Sequence, residues 1–358
     1  MEKSYSYKRL MKQFTMNGLS FVRVLRIATA GFLLISCGVD GGEFCPGVRL
    51  EYRYNRENAS LKNVLAQYVQ TIDEYVFDSD SVLVSVNRLP GTSYAGPFVS
   101  ELDLPPGRYI AVAWGNRDGR SFTERTPVPG VTTLRDLEFL FDSSYDPGSG
   151  LRNDSERLYY GYRTFSVTDR GVSRIPVDMT HAHCELHVVV AWENAGEMPA
   201  RSSEFGMTVS QVPSSCGSIP VYSDRNGPVQ PYVPAIEDYP VCDSRVLHCI
   251  PDVYAGDRLV THYTSMRMDV AELVRGQVIS YRYCGGSHPL LGIYIDGSLL
   301  AGKLIDLNTF FSAMQTDPGR SLRQEYRILL MVNGGKITVS LMLDPSGWEE
   351  GGQLGGRR

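Results

Sequence analysis

Leu102-Asp103-Leu104-Pro105-Pro106-Gly107-Arg108-Tyr109-Ile110-Ala111-Val112-Ala113-Trp114-Gly115-Asn116 decides the fold. Pro106 presets φ and Gly107 can take positive φ, so Pro105-Pro106-Gly107-Arg108 reads as a type II turn. The run that leaves it puts Tyr109, Ala111 and Ala113 on one face and Ile110, Val112 and Trp114 on the other. Neither face is polar. A strand covered on both sides belongs inside a sandwich.

The same period of two recurs on either side of this stretch. Val48, Leu50, Tyr52 and Tyr54 alternate with Arg49, Glu51 and Arg53, a half-buried strand. Leu61 to Tyr68 reads as a short helical turn. Tyr75-Val76-Phe77 and the Val82, Val84, Val86 alternation flank Asp78-Ser79-Asp80 as a hairpin. Thr132 to Phe141 reads as a short helix. Tyr159 to Val167 and Val172 to Met179 are strands around Asp169-Arg170-Gly171. From Cys184 a second series begins, with Leu186, Val188, Val190 and Trp192 alternating. Between Val212 and Pro251 prolines crowd and delete ladder donors, so this stretch reads as a loop excursion. Val278 to Tyr283 and Ile293 to Ile295 resume the strands. Tyr326 to Val332 and Lys336 to Leu343 close the series around Asn333-Gly334-Gly335, the chemistry of a primed hairpin turn.

The fold class expected is therefore all-β, two tandem β-sandwich domains. The expected organisation is a signal peptide over 1–36, a flexible tether over 37–47 and an N-terminal sandwich over 48–180. A C-terminal sandwich over 181–348 carries the proline-rich excursion 212–251, and 349–358 is a disordered tail.

The chain's first residues decide location. Arg23 and Arg26 precede an apolar run, Ile27 to Ile35, that ends in Leu34-Ile35-Ser36-Cys37. A basic n-region, a short apolar segment and a small residue before the cut make a secretory signal. Leu three residues before a Cys and Ser just before it match the bacterial lipobox, which makes Cys37 the lipidated new N-terminus. The run is shorter than the ~20 residues of a spanning helix. Met11 and Met16 are alternative starts. Removing 1–36 takes away six basic residues and one acid, so the net charge of −5 becomes about −10. An acidic chain is unsuited to nucleic acid and to anionic headgroups. The covalent lipid on Cys37 is then the anchor, and no other cofactor is expected.

Cys45, Cys184, Cys216, Cys242, Cys249 and Cys284 remain for disulfides or free buried thiols, with the pairing left open. No G-x-S-x-G, P-loop, G-x-G-x-x-G, H-E-x-x-H or EF-hand pattern occurs. In a strand His181, His183, Glu185 and His187 share one face, the spacing at which imidazoles can hold a metal. The plainer reading makes them the solvent-facing side opposite Leu186 and Val188. Asp78 and Asp80 read as turn residues, and the 21 Tyr and 3 Trp as sandwich core rather than a sugar platform. No catalytic residue is assigned; the protein is not read as an enzyme.

Lipobox Cys37, Cys45-Pro46-Gly47-Val48-Arg49-Leu50, Glu74-Tyr75-Val76-Phe77-Asp78, Leu104-Pro105-Pro106-Gly107-Arg108-Tyr109 into Val112-Ala113-Trp114-Gly115, and Gly347-Trp348 together resemble the fimbrial anchor subunits of Bacteroidales. These are the minor lipoproteins at the base of type V pili. The resemblance implies transthyretin-like, Greek-key sandwiches and palmitate-type lipidation on the outer membrane, at the cell surface. Asp40 and Glu43 fit surface export. It further implies fimbrial shaft subunits as partners, docked by β-strand addition, with fibre length limited by the anchor. Arg49, Arg53 and Arg56 resemble the arginines at which shaft subunits are cut, but their alternation makes them solvent-facing strand residues. A tip or accessory adhesin and a surface glycan-binding lipoprotein are the alternatives.

Overall fold

The computed structural model describes residues 47–54, 63–91, 98–123, 125–141, 151–152, 154–169, 171–224, 247–252, 259–284, 287–319, 321 and 324–342. The signal segment, Cys37, Cys45, Arg56, Cys242, Gly347-Trp348 and the tail lie outside them.

Ten strands fall in the first half: β1 (Gly47–Arg53), β2 (Thr71–Phe77), β3 (Leu83–Pro90), β4 (Val99–Asp103), β5 (Gly107–Gly115), β6 (Ser121–Phe122), β7 (Glu138–Phe141), β8 (Leu151–Arg152), β9 (Tyr159–Val167) and β10 (Val172–His181). Gly47, placed in the tether by the sequence, already belongs to β1. A single turn of helix, α1 (Leu65–Tyr68), precedes β2. The main sheet runs β3-β2-β5-β9-β10-β1-β4. β10 folds it over: Val172 to Asp178 pair in parallel with β1, and Met179 to His181 pair antiparallel with β9. The two layers close on Leu50, Tyr52, Val76, Ala111, Phe165 and Val177.

Both faces of β5 are covered, as its composition demands. Tyr109, Ala111 and Ala113 enter that core. Ile110, Val112 and Trp114 enter a second one, roofed by Leu134, Leu137 and Phe139. Within the first core Glu74 is fully buried and accepts hydrogen bonds from Tyr52, Asn87 and Ser100, which ties β1, β2, β3 and β4 together. A buried carboxylate without a cation needs such donors.

The turn before β5 is not the one expected. Gly107 is absent from the left-handed residues and pairs with Val167 as the first residue of the strand. A Cβ at this position would meet the Tyr109 ring at an ordinary contact distance of 3.4 Å, and the hydroxyl of that ring donates to Pro105 O at 2.9 Å. The helix expected over 132–141 shrinks to one 3-10 turn, Leu134–Asp136, boxed by Thr133 and Asp136. Glu138–Phe141 is strand because Phe139 must reach the core.

The second half holds β11 (His183–Trp192), β12 (Phe205–Pro213), β13 (Ser215–Gly217), β14 (Pro220–Asp224), β15 (Leu247–Pro251), β16 (Leu259–Met268), β17 (Val274–Tyr281), β18 (Leu290–Ile295), β19 (Ser298–Leu299), β20 (Ile305–Asp306), β21 (Glu325–Asn333) and β22 (Lys336–Met342). Its sheet runs β19-β18-β12-β16-β17-β11-β21-β22, with β20 added to β18. It curls around Leu186, Val188, Met207, Val278, Ile328 and Leu330. The helix α2 (Leu307–Ala313) buries Leu307 and Phe311 against that core, and Asp306 caps it through Asn308 N and Thr309 N. Gly334 and Gly335 both take positive φ in the last hairpin, as a type I′ turn requires.

The proline-rich excursion is more ordered at its base than a loop. β14 and β15 form a ribbon with Pro220 opposite Pro251 at its root, where a missing donor costs least. β13 joins β7 of the first half, and Cys216 enters the Trp114 core. In return β8 pairs with β16. The halves thus exchange strands and share a core. Cys184, Cys216 and Cys284 are free, and Cys249 is disulfide-bonded to a partner outside the described residues.

Candidate functional site: a buried junction and an open cleft

The chain passes from β10 to β11 through Ala182 alone, so His181 and His183 stand at the join of the two sheets. The solvent-facing reading of this stretch fails: His181, His183 and Glu185 are all buried. Period two placed them on a common side but did not reveal what covers that side. The two imidazoles stack at 4.8 Å, with Tyr159 edge-on to both. Tyr54 OH meets His181 Nε2 at 2.5 Å, and His183 Nδ1 meets Leu158 O at 2.8 Å. Burial pushes His183 down to about 4, against the pull of that carbonyl.

Arg282 lies beside them with no exposed surface. It donates to the carbonyls of His181 at 3.0 Å, Ser321 at 2.5 Å and Gly319 at 3.4 Å. Burial lowers it to about 10 and raises the neighbouring Cys184 thiol to about 12. One nitrogen of each imidazole is spent on a protein partner. Among the described residues no three His, Cys, Asp or Glu side chains converge as a metal set, and His187 points elsewhere, to Glu185 at 2.7 Å.

His187 belongs to the second feature, a cleft of about 1290 Å³ lined by both halves. Asn116, the end of the opening motif, takes positive φ there. It donates to Tyr68 O and Arg157 O and accepts from Gln70 N, so it fixes one wall. Six arginines line the space: Arg88, Arg117, Arg120, Arg157, Arg267 and Arg275. Carboxylates beneath hold several of them. Arg117 Nε meets Asp73 at 2.6 Å. Arg157 grips Glu185 with Nε at 2.6 Å and a terminal nitrogen at 3.0 Å. Arg275 Nε meets Asp269 at 2.6 Å, and Arg120 pairs with Asp118.

Burial alone would raise Glu185, but the hydrogen bonds of His187 and Arg157 hold it down at about 2. Asp154 shows the opposite balance. Its burial outweighs the N–H of Ile279 and lifts it to about 6. Glu156 is likewise raised by burial while accepting from Ser121, whose hydroxyl also meets Tyr281. That serine is buried and bridges Glu156 to Tyr281. None of the cleft's arginines was singled out in the sequence, because they come from segments far apart in the chain.

Arg49 and Arg53 stand half-exposed on β1, paired with Glu101 and Asp178. Asp78 accepts from Asp80 N and Val82 N, an ordinary turn. Trp114, Tyr52, Tyr75, Tyr159, Tyr160 and Tyr281 are core, not a sugar platform. Among the described residues the outer sides of β3 beyond Leu83, of β4 and of β22 have no strand partner. β3 shows Val84 and Val86 to solvent, whereas β4 shows acids.

Residues 43–213 match the family model of the fimbrillin-A associated anchor proteins Mfa1 and Mfa2. The match covers the first sandwich and the start of the second, so the resemblance named from the sequence stands there, and the family is one of fimbrial proteins rather than enzymes. The fold is similar to the fimbrial anchor protein Mfa2 from Porphyromonas gingivalis, at TM-score 0.55 and 15% identity over 82% of this chain and 94% of that one. It is similar to a candidate adhesin from Bacteroides ovatus at TM-score 0.57, 13% identity, and 83% and 93% coverage. A candidate polysaccharide-binding protein from Bacteroides thetaiotaomicron gives TM-score 0.58, 14% identity, and 82% and 95% coverage. No curated protein matches the sequence.

Proposed function

We propose that this chain, whose residues 43–213 match a family of fimbrial anchor proteins, holds a fimbrial shaft on the outer membrane and limits its length. The observation that carries the reading is that match, borne on paired sandwiches with unpartnered edges. Cys37 supplies retention: several buried acyl chains, at ~0.8 kcal/mol per CH₂, hold a protein stably on a bilayer. No helix among the described residues is long and apolar enough to cross a membrane. The edges supply docking, because an extended shaft segment added to an open edge satisfies its ladder groups. Of those edges β3 suits this best, with Val84 and Val86 exposed beside it.

The test replaces the native gene with Cys37→Ala and measures fibre length and attachment. Long fibres shed into the medium are expected from an anchor that also ends growth. Fibres of unchanged length that stay on the cell overturn the reading. Val86→Lys, which leaves the lipid in place, should release fibres while the protein itself stays on the membrane.

A further inference from the structure

The cleft between the halves has a charge layout that the anchoring reading does not use. Asp73 and Glu185 are nearly buried, their side chains 6% exposed, while the Arg88 and Arg157 side chains above them are 56% and 52% exposed. The carboxylates lie behind, and Arg88 is held by long contacts, one terminal nitrogen 3.6 Å from Asp73 and the other 3.4 Å from Arg117 O. Arg117 spends only Nε on Asp73, and Arg157 keeps one terminal nitrogen unspent. A guanidinium offers five donors in a fixed fork, so an arginine held from behind presents its far edge already oriented.

From the second half comes Arg267, whose side chain makes no hydrogen bond or ion pair among the described residues. It stands directly opposite Arg275 across the β16–β17 ladder. Like charges at such a position are unfavourable unless something neutralises them. Asp269 answers Arg275; among the described residues nothing answers Arg267. The acids that share the cleft are Asp118 and Asp269, each already paired, together with the largely buried Asp154 and Glu156. The lining thus sets six arginines against four acids, on a chain whose overall charge is −5.

The space of about 1290 Å³ exceeds what one small anion needs. Its lining also offers amides and hydroxyls, Gln70, Asn116, Gln277, Thr264 and Ser265, beside the apolar Met268 and Ile279. Amides and hydroxyls suit sugar hydroxyls, and planar guanidiniums suit carboxylate or sulfate.

We propose that this cleft binds an acidic oligosaccharide, with its carboxylate or sulfate groups taken by Arg88 and Arg117 of the first half and Arg267 of the second. The experiment is calorimetric titration of the full chain, purified in detergent, with oligogalacturonate, a heparin oligosaccharide and a neutral malto-oligosaccharide. At least one acidic probe should bind with a dissociation constant below about 1 mM, and the neutral one at least about tenfold more weakly. Whether the uronate or the sulfated probe binds tighter identifies the source of the anion. Arg267→Ala and Arg88→Ala should each weaken binding by about tenfold with an unchanged unfolding midpoint, and Arg174→Ala on β10 should leave it unaltered.

The proposal is overturned if no acidic probe binds below about 1 mM. It is equally overturned if the neutral probe binds as well, if a single-stranded DNA of equal charge binds as tightly, or if the Arg88→Ala, Arg267→Ala double variant binds like the parent. The inference stands apart from docking. Arg267 lies on an interior strand, so its variant touches no sheet edge, and lost glycan binding with fibres still held separates the two readings.

Discussion

Two polar clusters lie where the halves of the molecule meet, and burial makes opposite things of them. At the junction Arg282 has no exposed surface, and its two terminal nitrogens donate to main-chain carbonyls of β10 and of the segment before β21. In the cleft Arg88 and Arg157 rest on buried carboxylates and keep more than half of their side chains in water. The first arrangement fixes geometry and admits no ligand. The second leaves donors aimed at open space. The same residue type therefore builds architecture or a binding surface according to which end of it is covered.

The comparison breaks most directly at Arg282. Arg282→Ala removes the donor to the buried carbonyl of His181 and to the part-buried carbonyl of Gly319, while Ser321 O keeps its bond from Gln324; at ~1–3 kcal/mol for each carbonyl left unpaired, stability should fall by about 2–4 kcal/mol. Urea unfolding measures it, and Arg282→Lys should recover only part, since an ammonium cannot span the three acceptors as a fork does. A loss below about 1 kcal/mol would mean that the junction relaxes and holds nothing in place.

The next effect is a pH slope. His183 is held neutral by burial, with its value lowered from 6.5 to about 4. Between those values the unfolded chain takes up a proton that the folded chain refuses, so stability falls as pH drops from 6.5 toward 4, by about 3 kcal/mol at most. Asp154 works the other way. Raised to about 6, it keeps a proton in the fold that the unfolded chain gives up above 3.8, so its share of stability declines as pH rises through that window. Unfolding at pH 7 and pH 4.5 should show a shallower acid loss in His183→Gln and a steeper one in Asp154→Asn. Parallel slopes in all three proteins would refute the assignment.

How much of this was legible follows from where the information lies. Strands whose two faces differ, or whose both faces are apolar, read almost to the residue: 159–167, 109–115 and the final hairpin are local patterns. Gly107 misled because a glycine after Pro-Pro suggests a turn, whereas the residue already opens β5 opposite Val167. His181 and His183 were placed together correctly, yet what covers them, Tyr54, Tyr159 and Arg282, comes from three distant segments. The cleft was illegible for the same reason. Arg88, Arg157 and Arg267 have no common spacing, and only the interlocking of β8 with β16 and β13 with β7 brings their strands to one space.

Glu185→Gln sharpens the comparison at the boundary of the two clusters. Glu185 is buried like a junction residue yet pairs with the cleft's Arg157 and His187. Its depressed value, about 2, means a stabilisation present above 4.5 and lost as pH falls toward 2. Because Arg157 is half in water the effect should be modest, about 1 kcal/mol at pH 7, and the variant should lose its difference from the parent by pH 2.5 in thermal unfolding.

The smallest effect on stability is the most informative about the cleft. Arg267 supports nothing in the fold and faces Arg275 across the ladder, so Arg267→Ala removes a repulsion of a few tenths of a kcal/mol. Its unfolding midpoint should be unchanged or slightly raised at low salt, and the difference should vanish in high salt, where the Debye length contracts to ~3 Å. A residue that lowers stability by being present needs another reason to be there, and a ligand anion is the reason the charges supply. If Arg267→Ala instead destabilises the protein by 1 kcal/mol or more, the guanidinium has a structural partner, and the cleft becomes a second junction rather than a binding surface.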